Sequence, residues 1–301
     1  MTEPRIAIVI PAYKDTFLRR TLDSLAAQTD RRFHVYIGDD CSPHPIAAIV
    51  KEYEDKIPLT YQRFEENIGG RDLVAQWERC VRMTQDEPYL WLFSDDDEMS
   101  PQCVETFLNL PPGIRDNAIT HFNIKVIDAD DRVIDTPAKY PPRISAEEYL
   151  HLKLTGKIIS YVVEFIFPRH IYEEVGGFEN YDLAWGSDFI TWLKMAVAAS
   201  EGIVTPTEAE VRWRWSGENI SPRKDRATMT RKIRSLIANA AFIKDIIKNK
   251  PEKFPASQSC FRWVRFPLGE ISRNRKSLGI LGTLPLILQY FRTLYFRKIS
   301  K

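Results

Sequence analysis

No stretch of about 18 apolar residues occurs in the 301-residue chain, which argues against a membrane-spanning helix. The first segment, MTEPRIAIVIPAY, places no basic region ahead of a long apolar one, so no signal peptide is expected. Cysteine is scarce: Cys41, Cys80, Cys103 and Cys260 lie far apart, with no C-x-x-C pair and no histidine at metal-ligand spacing. Those spacings fit neither a zinc site nor a disulfide framework and predict free thiols in a reducing cytosol. Internal repeats, low-complexity tracts and heptad runs are also missing.

Positive charge is in short supply over most of the chain. Residues 1–221 carry 23 Lys+Arg against 37 Asp+Glu, whereas residues 222–301 carry 19 against 4. The net charge of +1 therefore hides an acidic body and a basic tail. Such a split predicts an anionic contact for the tail, either a membrane surface or a phosphate-bearing partner. Nucleic acid is not expected, because no recognition motif accompanies the charge. At 44% hydrophobic and 28% charged residues, the chain has the material for one large folded domain with an extension.

Over the first 130 residues short apolar runs alternate with helical patterns, the signature of βαβ units and a mainly parallel sheet. Residues 6–10 form a continuous apolar run that ends at Pro11, as a strand covered on both faces does. Leu18, Leu22, Leu25 and Ala26 follow at helical spacing. Further strands are expected at 33–37, 59–64, 89–93 and 118–127, and helices at 45–53 and 72–83. Beyond these, Ser145 with Glu148 forms a capping-box pattern, and residues 187–199 read as a helix capped by Ser187. A strand at 211–215 and a long basic amphipathic helix at 227–248 complete the pattern.

Ligands of open α/β sheets bind beyond the carboxyl ends of the strands. Three of the expected strands end in special or polar residues: Pro11-Ala12-Tyr13, Asp39-Asp40, and the segment from Ser94 to Asp97. Asp95, Asp96 and Asp97 are three successive carboxylates at the end of an apolar strand, where mutual repulsion and loss of water are costly. A bound Mg²⁺ or Mn²⁺ relieves that cost, since both ions favour carboxylate oxygens and keep positions open for phosphates. An acidic solvated loop is the competing explanation of the triplet taken alone.

The order of features from residue 5 to about 101 resembles the family 2 glycosyltransferases of the GT-A fold. The segment IPAYK (10–14) is similar to the family's P-x-Y/F-N turn, with Lys14 where Asn is usual. TLDSLAAQT (21–29), Asp39-Asp40-Cys41-Ser42, NIGGR (67–71) and SDDDEMSP (94–101) follow in the family's order. The resemblance implies that Pro11, Ala12 and Tyr13 pack around a nucleoside and that Asp40 accepts the N3–H of uracil. It also implies that Arg71 lies near the base or phosphates, and that Asp95 contacts the nucleotide or the metal. Asp96 is the implied principal metal ligand, with Asp97 beside it. Ser94 departs from the family, standing where many relatives carry the first Asp of DxD.

The stretch EEVGGFENYDLAWGSDFITWLK (173–194) resembles the family's V-G-G-F loop and G-E-D-x-D segment. Asp188 matches the general base, and Ser187 replaces the usual Glu. A helix start at Asp188 favours the ionised carboxylate, and Gly176-Gly177 permits a close backbone approach. Trp185 is a candidate for stacking on a sugar, and Trp192 reads as core. Arg212 and Arg214 in VRWRWSGENIS resemble a late family segment that closes over a diphosphate. The stretch 278–296, flanked by Arg273, Arg275, Lys276, Arg297 and Lys298, is apolar but interrupted, and residues 260–301 are expected to meet a membrane surface or to cap the domain.

The expected fold is therefore α/β of the GT-A, Rossmann-like type: a mainly parallel sheet flanked by helices, with a basic helical C-terminal extension. The glycosyltransferase domain is placed at residues 1–222, with a nucleotide-binding half at 1–117 and an acceptor-binding half at 118–222, and the extension at 223–301. The expected activity is metal-dependent, inverting transfer of a hexosyl or N-acetylhexosaminyl group from a nucleotide sugar, of UDP type, to a saccharide or lipid-linked saccharide in cell-surface polysaccharide synthesis. The expected place is the cytoplasm or the inner face of the cell membrane. Two alternatives stand beside it. A nucleotidyltransferase usually needs a glycine-rich basic loop that IPAYKDTFLRR lacks, and a non-catalytic nucleotide-sugar-binding protein needs no base.

Overall fold

The computed structural model describes residues 5–216, 225–255 and 260–296. The chain begins β1 (Ile6–Ala12), α1 (Leu18–Ala26), β2 (Phe33–Asp39), α2 (Ile46–Lys51), β3 (Leu59–Arg63), α3 (Leu73–Val81) and β4 (Tyr89–Leu92). It continues with β5 (Glu98–Met99), α4 (Cys103–Leu108), α5 (Pro112–Arg115), β6 (Ile119–His121), β7 (Asn123–Ile127), β8 (Val133–Asp135) and β9 (Arg143–Ile144). Then come α6 (Ala146–Leu154), β10 (Phe165–Pro168), α7 (Arg169–Glu174), α8 (Ser187–Ala198), β11 (Ile203–Val204) and β12 (Glu210–Arg214). Three longer helices close the order: α9 (Arg226–Asn249), α10 (Cys260–Arg273) and α11 (Arg275–Phe291).

The large sheet has the order β3-β2-β1-β4-β10-β6-β11-β9. Strands β3, β2, β1 and β4 run parallel, and β10 enters antiparallel to both β4 and β6. A smaller sheet, β5-β12-β7-β8, stands beside it. The apolar run of β1 is buried on both faces because its alternating side chains serve two cores. Ile6, Ile8 and Ile10 pack with Leu18, Leu22 and Leu25 of α1, whereas Ala7 and Val9 join Trp77 and Cys80 of α3. The mainly parallel α/β sheet flanked by helices is the one expected.

Two local expectations fail. The apolar stretch 118–127 is not one strand but β6 and β7, which belong to different sheets. The break falls at Phe122, which is fully buried and stacked on Trp91 at 5.5 Å, so core packing diverts the chain. Ser187 does not cap α8. Gly186, with φ of 82°, takes the cap position, and the buried Ser187 Oγ instead accepts the Tyr181 N–H at 3.0 Å. The Ser145 capping box forms as read, with both reciprocal bonds.

Helices α10 and α11 pack on α9. The domain division at 222/223 and the flanking Arg297 and Lys298 lie outside the described residues. Cys80 and Cys103 are buried free thiols, and Cys41 is a half-buried one. No helix among the described residues is long and apolar enough to cross a membrane.

Candidate active site

A cavity of about 770 Å³ opens beyond the carboxyl ends of β1 and β4. Its first wall comes from Pro11, Ala12, Tyr13, Lys14, Asp40, Asn67, Gly69 and the Asp95–Asp97 triplet. The second comes from Lys153, Ser160, Tyr161, Trp185, Asp188 and Trp213. The third belongs to the basic tail: Leu236, Asn239, Ala240 and Ile243 of α9, with Phe266 and Pro267 of α10. Parallel strands that begin side by side must end side by side, which brings Tyr13, Asp40 and the triplet together from positions far apart in sequence.

The three carboxylates of the triplet are engaged differently. Asp95 Oδ2 accepts the backbone N–H groups of Tyr13 and Lys14, at 2.7 and 2.8 Å, and so ties the end of β4 to the turn after β1. Asp97 Oδ1 accepts the Arg214 N–H at 2.6 Å, and its Oδ2 accepts the Ser94 hydroxyl at 2.6 Å. Asp96 Oδ2 lies 3.9 Å from Lys14 Nζ. Burial pushes the Asp95 carboxyl up to about 6, with the Asp96 charge adding to it. Burial and the same neighbour raise Asp97 well above the usual carboxylate range.

This donor set fits a divalent cation of one kind. Among the described residues no three carboxylate, imidazole or thiolate groups converge as a ready-made cage. Mg²⁺ and Mn²⁺ do not need one, since one or two carboxylates plus substrate phosphates and water complete their coordination. Burial first and the Asp96 charge second raise the carboxyls of Asp95 and Asp97, and a cation beside Asp96 would oppose both effects.

Asp40 is drawn into the NIGG loop. Its oxygens accept the Ile68 N–H at 2.9 Å and the Gly69 N–H at 2.8 Å, and Arg79 pairs with it as well. A carboxylate has about four lone-pair sites, so room for one further donor remains. Gly69 is needed for this approach, because a Cβ there would stand 2.5 Å from Asp40 Oδ2. The neighbouring Asp39 is fully buried and accepts the Ser42 N–H, the Tyr61 hydroxyl and Arg63, which makes it an anchor.

Asp188 sits half-buried in the first turn of α8, on the cavity wall. Burial raises its carboxyl above the usual range, and the Lys153 charge and the Phe189 N–H oppose that rise. Burial therefore outweighs the helix start invoked from sequence. Lys153 Nζ donates to Ser160 Oγ at 2.6 Å and to its carbonyl at 3.3 Å. Behind them Glu164 is fully buried, with Oε1 accepting the Tyr161 N–H at 2.5 Å and Oε2 without a hydrogen-bond partner among the described residues. Burial pushes Glu164 up to about 8, and burial also lowers the Lys153 ammonium, against the charges of Asp188 and Glu164.

Three arginines proposed from sequence do not line the cavity. Arg71 is an exposed partner of Glu66. Arg214 is fully buried, with its guanidinium bonded to Glu98, to Asp131, and to the carbonyls of Asp96 and Asp128. Four of its five N–H donors are thus taken, and the residue does not line the cavity. Alternation along β12 explains the outcome: Trp213 faces the cavity, whereas Arg212 and Arg214 point the other way, toward Glu98. Gly176 and Gly177 do not line the cavity either, and Gly177 instead lets the backbone meet Glu78, whose Oε1 accepts the Phe178 N–H at 2.8 Å. Trp185 lines the cavity with Lys232 Nζ 4.2 Å above its ring, while Trp192 is core, stacked on Phe165 at 4.6 Å.

Sequence reading missed Lys14 as a cavity residue, together with Lys153, Ser160 and the stacked pair Tyr161–Trp213 at 4.2 Å. Lys14 carried a signal, as the departure from Asn in the first turn. Lys153, Ser160 and Tyr161 carried none, because α6 and the segment before β10 show no motif, whereas Trp213 lay in VRWRWSGENIS between the two arginines read there.

The sequence model for glycosyl transferase family 2 matches residues 7–174. Validoxylamine A glucosyltransferase from Streptomyces hygroscopicus subsp. limoneus is 39% identical over 108 residues, 35% of this chain and 23% of that protein. Poly(ribitol-phosphate) beta-N-acetylglucosaminyltransferase TarS from Staphylococcus aureus is 31% identical over 97 residues, 31% of this chain and 16% of that protein. These matches thus span less than a quarter of the two relatives' own length. Among solved structures, residues 1–349 of S. aureus TarS in complex with UDP-GlcNAc superpose with a TM-score of 0.61 at 14% identity, covering 96% of this chain and 90% of that one. A mannosyltransferase from Pyrobaculum calidifontis in complex with GDP-Man and Mn²⁺ gives 0.54 at 14% identity, covering 96% and 80%. At such identities the likeness concerns the fold, which is GT-A.

Proposed function

The chain belongs to the family 2 glycosyltransferases, and on that premise we propose that it transfers a sugar from a UDP-type nucleotide sugar to a saccharide hydroxyl with inversion. One observation carries the reading: a single cavity holds Asp40 and the Asp95–Asp97 triplet on one wall and Asp188 on another. In this reading the nucleoside lies along Pro11, Ala12 and Tyr13. The remaining acceptor site of Asp40 takes the N3–H of uracil, a proton that suits a carboxylate. Asp96, with Asp95 beside it, holds a divalent cation, which supplies positive charge to the diphosphate. Asp97 is the third and most committed member, since both of its oxygens already accept bonds.

Asp188 takes the proton of the acceptor hydroxyl. The freed oxygen pair forms the new bond to the anomeric carbon, while the bond from that carbon to the diphosphate oxygen breaks and its electrons leave with the nucleoside diphosphate. Trp185 and the Tyr161–Trp213 pair offer aromatic faces to sugar rings. The apolar third wall, Leu236, Ala240, Ile243 and Phe266, suits an acceptor carrying a lipid, as in cell-surface polysaccharide assembly. The donor sugar class, hexosyl or N-acetylhexosaminyl, follows from whichever substrate the cavity accepts.

A panel of nucleotide sugars tests the reading through protection against thermal unfolding in Mn²⁺ or Mg²⁺. UDP-sugars are expected to raise the midpoint, and their turnover to release UDP. Release of pyrophosphate would instead assign a nucleotidyltransferase.

A further inference from the structure

Helix α11 has two apolar faces. Leu286 and Tyr290, with Leu294 just beyond the helix end, recur at four-residue steps, and they and Leu278 are buried on the side that packs on α9 and α10. On the opposite side Ile280 is 85% exposed, Leu281 81%, Leu284 56%, Leu288 62%, Phe291 45% and Tyr295 61%. Positions 280, 284, 288, 291 and 295 fall on one helical stripe, and among the described residues nothing covers it. Single exposed leucines are ordinary, but a continuous stripe of five large side chains, with Leu281 at its flank, marks a contact surface. Over the described residues the helix is not long and apolar enough to cross a membrane.

Charge decides the occupant. Exposed Arg273, Arg275 and Lys276 stand at the start of the stripe, and exposed Arg292 stands near its end. A second copy docking by two-fold symmetry would oppose these like charges, whichever way the helices ran. An anionic bilayer meets both features at once, with acyl chains for the stripe and headgroups for the basic ends.

We propose that α11 docks the protein on the surface of an anionic membrane, its Ile280–Tyr295 stripe lying in the interface. Docking deepens the lipid-linked acceptor reading above, because α10, which packs on α11, also walls the cavity through Phe266 and Pro267. An acceptor held in the same bilayer then approaches from the side on which the tail helices close the cavity.

The test uses the full chain and extruded vesicles, with neither donor nor acceptor present, so its failure leaves the transferase reading untouched. The wild type is expected to sediment with phosphatidylglycerol/phosphatidylcholine vesicles, and less as salt rises. Leu281→Asp/Leu288→Asp should lower the partition coefficient by about tenfold or more, since each leucine loses its transfer into the apolar layer. Arg275→Glu/Lys276→Glu should weaken binding to the anionic vesicles alone. Circular dichroism and UDP-sugar hydrolysis in solution should be unchanged in both variants. A wild type that does not sediment overturns the proposal, as does a Leu281→Asp/Leu288→Asp variant that sediments equally well. A dimer in light scattering that the same substitution dissociates, with no vesicle binding by the wild type, assigns the stripe to a second copy instead.

Discussion

The backbone N–H of Arg214 lies 2.6 Å from Asp97 Oδ1, while the guanidinium of the same residue holds Glu98 and the Asp96 carbonyl. One residue of β12 thus clasps three successive positions of the acidic loop. Arg214→Met removes the guanidinium from the half-buried Glu98, from Asp131 and from the Asp96 and Asp128 carbonyls, while the backbone bond to Asp97 stays, and it is expected to cost about 3–5 kcal/mol in urea unfolding. Arg214→Lys keeps a charge but not the planar fork, and should fall between. An unchanged unfolding midpoint for Arg214→Met would show that the clasp does not hold the loop.

Removing the cation with EDTA should abolish transfer, and Mn²⁺ or Mg²⁺ should restore it. Asp96→Asn should lower kcat by about a hundredfold or more, the equivalent of several kcal/mol of charge stabilisation. Full activity of this variant in chelator would remove Asp96 from the metal site.

Asp188→Asn should reduce transfer by about 10²- to 10⁴-fold, yet leave UDP-sugar affinity near that of the wild type. The pH profile carries the same information. Burial raises the Asp188 carboxyl, so the base form is present above that raised value and lost as pH falls through it. Lys153→Met removes the opposing charge, and the acid limb of kcat/KM is expected to move to higher pH. Lys153→Arg should return it. A limb that stays in place in Lys153→Met would separate the two residues functionally.

Gly69→Ala puts a methyl group 2.5 Å from Asp40 Oδ2, and either the carboxylate or the NIGG loop has to move. UDP affinity measured by calorimetry should fall on the order of tenfold, about 1.4 kcal/mol. Gly113→Ala, where a Cβ meets nothing within 4 Å, serves as the control and should bind UDP normally.

Much of the first wall was legible because local rules suffice for it. Residues 6–10 are apolar at every position since β1 is covered on both faces, and a strand so covered ends at a polar crevice. Tyr13, Asp40 and the triplet follow from three such endings. The second wall was harder to read. Phe122 divides one apolar stretch between two sheets because of what it stacks on, and the phase of β12 sends Trp213 rather than its arginine neighbours into the cavity. Neither fact is written in the periodicity of its own segment.

The sequence by itself determined the parallel sheet, the polar strand ends and the family, because these rest on neighbours a few residues apart and on motifs in a fixed order. Only the tertiary structure decided how each carboxylate is engaged. Asp95 is tied to backbone groups 81 and 82 positions away, and Asp97 to one 117 positions away. Contacts of that range fix which oxygens are already satisfied, and they leave Asp96 as the member of the triplet beside Lys14. The same long-range packing made the basic tail a wall of the cavity, since the apolar side chains of α9 and α10 are buried only where the rest of the fold meets them.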